Sequence, residues 1–261
     1  MMRGMTFLDQ SDRTTLAAAR LFADHEDGTV VGEDAGMLMV ASVRPFLRSL
    51  FYSSARRFDR AVPAEKAVAA VRAFGAEHGR QLNLWASVDG DADLIAAAEA
   101  AGMTRGIELE DMGIASAPAI PTPGPEVELA EVRDAEEADA FAEVHRALRI
   151  EAEQDPETVT HFASHGVLLD PHVHAFVAYL EREPAACALA LRHEDSAGLY
   201  WVATKTSARK RGLGALVSAA AVDGAFQAGA KSATLTATDL GVPVYRRLGF
   251  ERFSGRVRYS F

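Results

Sequence analysis

Apolar positions follow two distinct periods along the second half of the chain. Short apolar runs predict strands at residues 127–132, 175–180, 185–191, 199–203 and 233–237, with closing strands through Phe261. Apolar residues at helical spacing predict helices at 134–150, 212–228 and 241–248. Gly229 is placed to end the second of these helices as a left-handed cap. Strands that alternate with helices indicate an α/β protein with a mixed sheet and parallel crossovers.

The first half repeats the order of elements seen at the end of the chain. The predicted elements are a helix at 63–78, a strand at 82–88, a helix at 91–101 and a strand at 103–114. Gly79 and Gly102 separate them and stand 23 positions apart, while Gly229 and Gly249 stand 20 positions apart in the later series. The repeat indicates a degenerate second copy of one fold.

Four prolines interrupt the periodic patterns between the two halves, within residues 116–125. Prolines at this density exclude a regular helix or a central strand and favour an extended connector. We therefore predict a first domain at 1–115, a linker at 116–125 and a second domain at 126–261.

Composition narrows the class of protein. The chain has 261 residues, 49% of them hydrophobic, which suits a substantial core and, by length, about two domains. Its net charge of -10 argues against nucleic acid or an anionic membrane as a partner. Neither a signal peptide nor an apolar run of about 18 residues is evident. The single cysteine, Cys187, lies in an apolar run, so we expect a buried thiol in a cytoplasmic protein.

A basic, glycine-bearing turn stands out against this acidic background. Residues 209–215 read Arg-Lys-Arg-Gly-Leu-Gly-Ala and join an apolar strand to an alanine-rich helix. Backbone N–H groups at a helix start lack helical partners, and the helix dipole adds positive charge there. Glycine has no Cβ, so a large anion can approach this backbone. The turn therefore predicts a pyrophosphate cradle. The dinucleotide fingerprint would need glycine at Val217, and no P-loop sequence occurs.

Two blocks of sequence together resemble a known family. Residues 209–214 have the form R-x-x-G-x-G, which resembles the acetyl-CoA signature of the GNAT superfamily of N-acetyltransferases. Residues 244–250 resemble the closing helix and Y-x-x-x-G-F turn of that family. The resemblance covers roughly 126–261 and implies a GNAT fold, and the internal repeat suggests a tandem GNAT. Residues 56–60, Arg-Arg-Phe-Asp-Arg, replace the phosphate turn in the first copy, so we expect that copy not to bind CoA.

The resemblance implies acetyl-CoA as a cosubstrate and assigns residues to it. The backbone would hold the pyrophosphate at Arg209, Lys210, Arg211, Gly212, Leu213, Gly214 and Ala215, and the pantetheine arm along Val202, Ala203 and Thr204. Basic side chains, including that of Lys205, would add charge for the phosphates. Thr238 is a further candidate contact, with helix capping by Thr238 or Asp239 as the alternative.

Tyr245 is the candidate general acid, because it occupies the tyrosine of the Y-x-x-x-G-F block. A phenol with a pKa near ~10 is protonated at neutral pH and can donate to a departing thiolate. A core tyrosine is the alternative interpretation.

The residue at the position expected for the general base departs from the family pattern. Many relatives carry a glutamate at the position that is Gly198 here, and Glu194 and Asp195 fall in the preceding hairpin turn. A water relay, an acceptor of low amine pKa and a residue from elsewhere all remain open. The sequence also clusters His161, His165, His172 and His174. We expect these histidines to line the acceptor pocket or supply the base, and we assign no metal.

The sequence therefore predicts direct acetyl transfer to an amine, with a small molecule as the expected acceptor. Two alternatives remain. A non-catalytic acyl-CoA-binding protein would explain the missing carboxylate but not Tyr245. An acetyltransferase for a protein amine would need an open groove. Neither nucleic acid nor a membrane is expected as a partner, and a homodimer stays open.

Overall fold

The computed structural model describes residues 6–43, 51–159 and 162–261. The helices are α1 (Phe7–Asp24), α2 (Ala64–Glu77), α3 (Ala92–Ala100), α4 (Ala135–Glu151), α5 (His165–Leu168), α6 (Leu213–Gln227) and α7 (Val242–Arg247). The strands are β1 (Val30–Asp34), β2 (Met37–Ala41), β3 (Ser54–Arg57), β4 (Asn83–Ser87), β5 (Thr104–Ile114), β6 (Val127–Glu131), β7 (Val173–Leu180), β8 (Glu183–His193), β9 (Ser196–Thr204), β10 (Ser232–Ala237) and β11 (Glu251–Ser260). The predicted α/β class with a mixed sheet is confirmed.

Local signals explain where the helices of the second half begin and end. The Asp134 side chain caps α4 by accepting from the backbone N–H groups of Glu136 and Glu137. Helix α6 is apolar nearly all round and largely buried, as the alanine-rich sequence leads one to expect. Gly229 follows it with φ 108°, a left-handed conformation that glycine adopts without a Cβ penalty.

The contacts divide the chain into two compact units. The first unit contains Met1–Met112, Thr236–Asp239 and Arg252–Phe261. Its strands follow the order β1-β2-β3-β4-β11-β5. Strands β3 and β4 are parallel, whereas β4 and β11 are antiparallel. Its core joins apolar residues of β2, β4 and β11 to those of α2 and α3.

The second unit contains Gly113–Leu235 and Leu240–Glu251. Its strands follow the order β10-β9-β8-β7-β6, with β10 parallel to β9 and the other neighbours antiparallel. Helices α4 and α6 both pack on β7, β8 and β9. The division differs from the predicted domains at the C-terminal end, because most of β11 belongs by its contacts to the first unit.

Among the described helices, none combines the length and the apolar character needed to cross a bilayer.

Candidate active site

Helix α6 begins without a side-chain cap. Its N-cap residue, Gly212, is left-handed with φ 80° and ψ 0° and supplies no side-chain cap. The N–H of Leu216 donates to the Gly212 carbonyl over 3.0 Å. The three residues before Leu216 sit in the first turn, where N–H groups have no helical partner and carry the positive end of the helix dipole. This geometry suits an anion such as a pyrophosphate.

The two glycines of this turn serve different purposes. At Gly212 a Cβ would meet nothing within 4 Å, so its left-handed backbone, not crowding, requires glycine. At Gly214 a Cβ would lie only 3.3 Å from Thr204 Oγ1, because the start of the helix and the end of β9 are close together here. Because neither glycine has a side chain, a bulky anion can approach the backbone at both positions.

The cations of the turn divide into paired and unpaired groups. Lys205 Nζ lies 2.6 Å from Glu143 Oε1 on α4, so this lysine is paired with a carboxylate. Its contribution to phosphate binding stays a prediction. Arg209 Nε donates to the Thr204 carbonyl at 3.4 Å. The side chains of Lys210 and Arg211 are exposed. Within the described ranges neither forms an ion pair, which leaves both available to an anion.

Strands β9 and β10 separate before they reach this turn. Their parallel pairing joins Ser232 to Ser196, Ala233 to Ala197 and Thr234 to Gly198. Strand β9 continues six residues further to Thr204. The backbone edge at 202–204 therefore lies beyond the paired segment, where an extended ligand can take its hydrogen bonds. This arrangement is the one expected for a pantetheine arm.

Tyr245 lies half-buried on α7, with its ring centroid 6.0 Å from that of Phe250. Burial raises the pKa of Tyr245 to about 12, and the neighbouring Ser218 hydroxyl acts in the opposite direction because it stabilises the phenolate. Ser218 is fully buried on α6. The sequence does not reveal Ser218, because a serine within an alanine-rich helix gives no local signal that it neighbours Tyr245, 27 positions away.

The space that a side chain at position 198 would need is filled. A Cβ built on Gly198 would overlap the hydroxyl and ring of Tyr200, which is itself buried. Because Gly198 and Tyr200 are two residues apart on a strand, they share one face. A phenol therefore occupies the place where many relatives are expected to carry a carboxylate.

A buried histidine that the sequence analysis did not single out lies beside β9. His145 of α4 places Nε2 3.0 Å from the Trp201 carbonyl. Burial lowers the pKa of His145 to about 4. The hydrogen bond to the Trp201 carbonyl acts to raise this pKa, and the charge of Arg149 acts to lower it further. The side chain is therefore neutral at physiological pH and is a weak base.

Two of the clustered histidines, His165 and His172, have different partners. His165 Nε2 lies 2.9 Å from Asp139 Oδ1, and the pair is exposed. Arg192 lies 3.2 Å from His172 Nδ1. Burial lowers the pKa of His174. His161 lies outside the described residues. Within the described residues no group of His, Cys, Asp or Glu has the arrangement of a metal site.

Two other sequence predictions have clear outcomes. Cys187 is fully buried, and burial raises the pKa of its thiol well above the usual range, so the predicted buried thiol is confirmed. Thr238 is exposed directly after β10. Helix α7 has Gly241 as its N-cap and no side-chain cap. The expected capping of this helix by Thr238 or Asp239 is therefore wrong.

Arg57 and Arg60, in the segment that replaces the phosphate turn in the first unit, are held by carboxylates. Arg57 Nη1 lies 2.8 Å from Asp93 Oδ1, and the arginine side chain is almost fully buried. Arg60 contacts Asp12 at 2.7 Å and Asp91 at 2.9 Å. Both charges are thus satisfied within the unit.

Comparison with known proteins relates this geometry to a family. Residues 130–250 match the model of the acetyltransferase (GNAT) family. This region is similar to a GNAT domain. It contains the uncapped start of α6, the separation of β9 from β10, and Tyr245. The curated proteins contain no match to the chain.

Solved structures share the GNAT fold over nearly the whole chain. A GCN5-related N-acetyltransferase from Kribbella flavida is 21% identical and has a TM-score of 0.72, covering 96% of this chain and 95% of its own. A tandem GNAT protein from the clavulanic acid biosynthesis pathway is 14% identical with a TM-score of 0.62, and the match covers 97% of this chain and 95% of that protein. A GCN5-related N-acetyltransferase from Sphaerobacter thermophilus is 13% identical with a TM-score of 0.57, covering 99% and 94%. At these identities the likeness concerns the fold, and the predicted GNAT fold is confirmed.

Proposed function

We propose that the protein is an acetyl-CoA-dependent N-acetyltransferase that acetylates an amine of a small molecule. One observation carries the proposal: the uncapped start of α6 follows a strand, β9, that has parted from its neighbour, within the GNAT domain. The two features together offer free N–H groups for a pyrophosphate and a free strand edge for an amide-bearing arm.

Acetyl-CoA would be held chiefly by backbone groups. The first turn of α6 would receive its pyrophosphate, and Lys210 and Arg211 would add charge beside it. The edge at 202–204 would bind the amides of the pantetheine arm. When bound, acetyl-CoA supplies an activated acetyl group. Thr238 stays a candidate contact to acetyl-CoA.

Tyr245 would act as a hydrogen-bond donor to the sulfur that leaves the acetyl group. Its pKa of about 12 keeps the phenol protonated across the physiological range. Since an ordinary thiol has a pKa near ~8.5, complete transfer of the Tyr245 proton to a thiolate would be unfavourable. Donation of a hydrogen bond, which stabilises the developing charge, is therefore the stronger role.

We assign acetyl-CoA to the GNAT domain alone. In the first unit Arg57 and Arg60 are neutralised by their own carboxylates, so a phosphate would have to displace Asp93, Asp91 or Asp12. That displacement would leave carboxylates unpaired, which is costly at buried positions.

A non-catalytic acyl-CoA-binding protein is the second candidate. The observation that favours it is the overlap of Tyr200 with the space at Gly198, which leaves no room there for a carboxylate base. An acceptor amine that is already neutral at physiological pH would need no base before it attacks. The proton that it loses as the amide forms would pass to the departing CoA thiolate, whose ordinary pKa near ~8.5 suits it to take that proton.

Release of the CoA thiol in the presence of amines separates the candidates. The proposed enzyme should release thiol with at least one class of small primary amine and show no comparable rate with lysine peptides. Thiol release with lysine peptides alone would point to a protein acceptor. Saturable binding of acetyl-CoA with no turnover across amines of high and low pKa would indicate the binding protein.

A further inference from the structure

Strand β9 carries a bulge at Trp201. Cys187 of β8 pairs with Ala203, and Leu189 pairs with Tyr200, so two residues of β9 stand opposite one residue of β8. Trp201 has φ 53°, a left-handed conformation that is strained for a bulky residue and needs support from its surroundings. The bulge lies between the segment of β9 that pairs with β10 and the free edge at 202–204.

Two groups hold Trp201 in this conformation, one at its carbonyl and one at its ring. His145 Nε2 lies 3.0 Å from the Trp201 carbonyl oxygen. Because a carbonyl only accepts, Nε2 carries the proton and Nδ1 does not. Phe162 stacks on the Trp201 ring with centroids 3.6 Å apart and planes 5° apart. The His145 ring meets Phe162 edge to face at 4.9 Å and lies 5.5 Å from Phe141.

We propose that His145 is a positioning residue, whose Nε2–H bond to the Trp201 carbonyl fixes the bulge of β9 and thereby sets the backbone at 202–204. The inference rests on the proposed function in so far as that backbone binds the pantetheine arm. Its structural half, that His145 holds the bulge, stands without any ligand.

The neutral state of His145 fits this role. Burial keeps its pKa near 4, so a single protonation state persists over the pH range in which the protein would work. The aromatic rings around it exclude water, which would otherwise compete for the Trp201 carbonyl.

A pair of amide variants separates the hydrogen bond from mere filling of space. In His145→Gln the side-chain amide reaches about as far as Nε2 and can donate to the Trp201 carbonyl. In His145→Asn the amide is one methylene shorter and falls short of it. Both should be made in a Trp85→Phe background. Trp201 is then the one tryptophan that contributes to the fluorescence and near-ultraviolet circular dichroism spectra.

The expected results differ between the pair. His145→Gln should keep the Trp201 spectrum and bind acetyl-CoA within about threefold of the parent, whereas His145→Asn should alter the spectrum and weaken binding by about tenfold or more. With turnover, the Asn variant should raise KM for acetyl-CoA more than it lowers kcat. Thermal melting of both variants confirms that each is folded.

The outcomes that overturn the inference are distinct from failure of the proposed function. Equal spectra and equal affinities in the two variants would remove His145 from any positioning role, and an unfolded Gln variant would show that the donor alone does not suffice. An altered Asn spectrum with unchanged affinity would overturn the link from the bulge to the ligand. If the parent does not bind acetyl-CoA, the proposed function fails, and the spectra alone decide whether His145 holds the bulge.

Discussion

At the scale of single residues, Tyr245 carries the catalytic proposal. Replacement by phenylalanine keeps the ring against Phe250 but removes the donor, so kcat should fall by about 10²-fold with the Kd for acetyl-CoA nearly unchanged. Tyr179→Phe, on β7 of the same unit, is the matched control and should keep full activity. Because the pKa of Tyr245 is about 12, the wild-type rate should show no loss from Tyr245 deprotonation below pH ~10. Full activity in Tyr245→Phe would exclude the residue from the mechanism.

A second prediction at this scale concerns the crowding of Gly198 by Tyr200. Gly198→Ala forces an added methyl into the space of a buried phenol and should lower the free energy of unfolding by about 1–3 kcal/mol. The same change in a Tyr200→Ala background should cost much less, since the two residues compete for one space. Urea unfolding of the four proteins in this cycle measures the coupling. Additive costs would show that the two side chains do not share that space.

At the scale of elements, a buried neutral histidine joins α4 to β9. The pKa of His145 is about 4 in the folded protein and near 6.5 ordinarily, so between these values the unfolded chain binds more protons. The stability that His145 contributes is therefore complete above about pH 6.5 and is lost as the pH falls toward 4. Urea unfolding between pH 7 and 4 should show a loss on the order of 2–3 kcal/mol greater in wild type than in His145→Gln. Parallel pH profiles would contradict a buried neutral histidine.

The elements themselves show what sequence can and cannot supply. Helices α4 and α6 were predictable because their apolar spacing and their ends, Asp134 and Gly229, are local signals. Helix α1 was not predicted, because its buried face begins with the polar residues Ser11, Asp12, Thr14 and Thr15 and becomes apolar only from Leu16 onward. The bulge at Trp201 and the role of His145 depend on a contact between residues 56 positions apart, which no local pattern records.

At the scale of the molecule, the last strand is tied into the first unit by buried charge. Arg256 of β11 is almost fully buried, with Nη1 3.1 Å from Asp12 Oδ1 and Nη2 2.8 Å from Asp111 Oδ2. Arg256 and Asp12 are 244 positions apart, so no local sequence pattern predicts that they pair. This ion pair links the first helix and the last strand of the chain within the unit.

Removing this arginine should be far more costly than removing a surface one. Arg256→Ala removes the buried cation that faces Asp111 and Asp12, leaving Asp111 with only the Thr236 hydroxyl among these groups and Asp12 with Arg60. The loss of charge compensation at Asp111 should lower the free energy of unfolding by about 3–5 kcal/mol. Arg105→Ala, an exposed arginine paired with Glu108 in the same unit, should cost much less, because water screens an exposed ion pair. Denaturant unfolding of both variants makes the comparison. Equal costs would show that the buried network contributes no more than surface charge.

Calorimetric titration with acetyl-CoA, with free CoA and NAD as comparators, tests the cofactor assignment most directly. Wild type should bind acetyl-CoA and CoA saturably and not NAD. Gly214→Val should weaken both by about tenfold or more while melting like wild type, because the added side chain enters the space between the start of α6 and Thr204. Lys231→Ala, an exposed cation just before β10, should bind as wild type does. Absence of binding in wild type, or unchanged affinity in Gly214→Val, would contradict the assignment of the turn at 209–215 to the pyrophosphate.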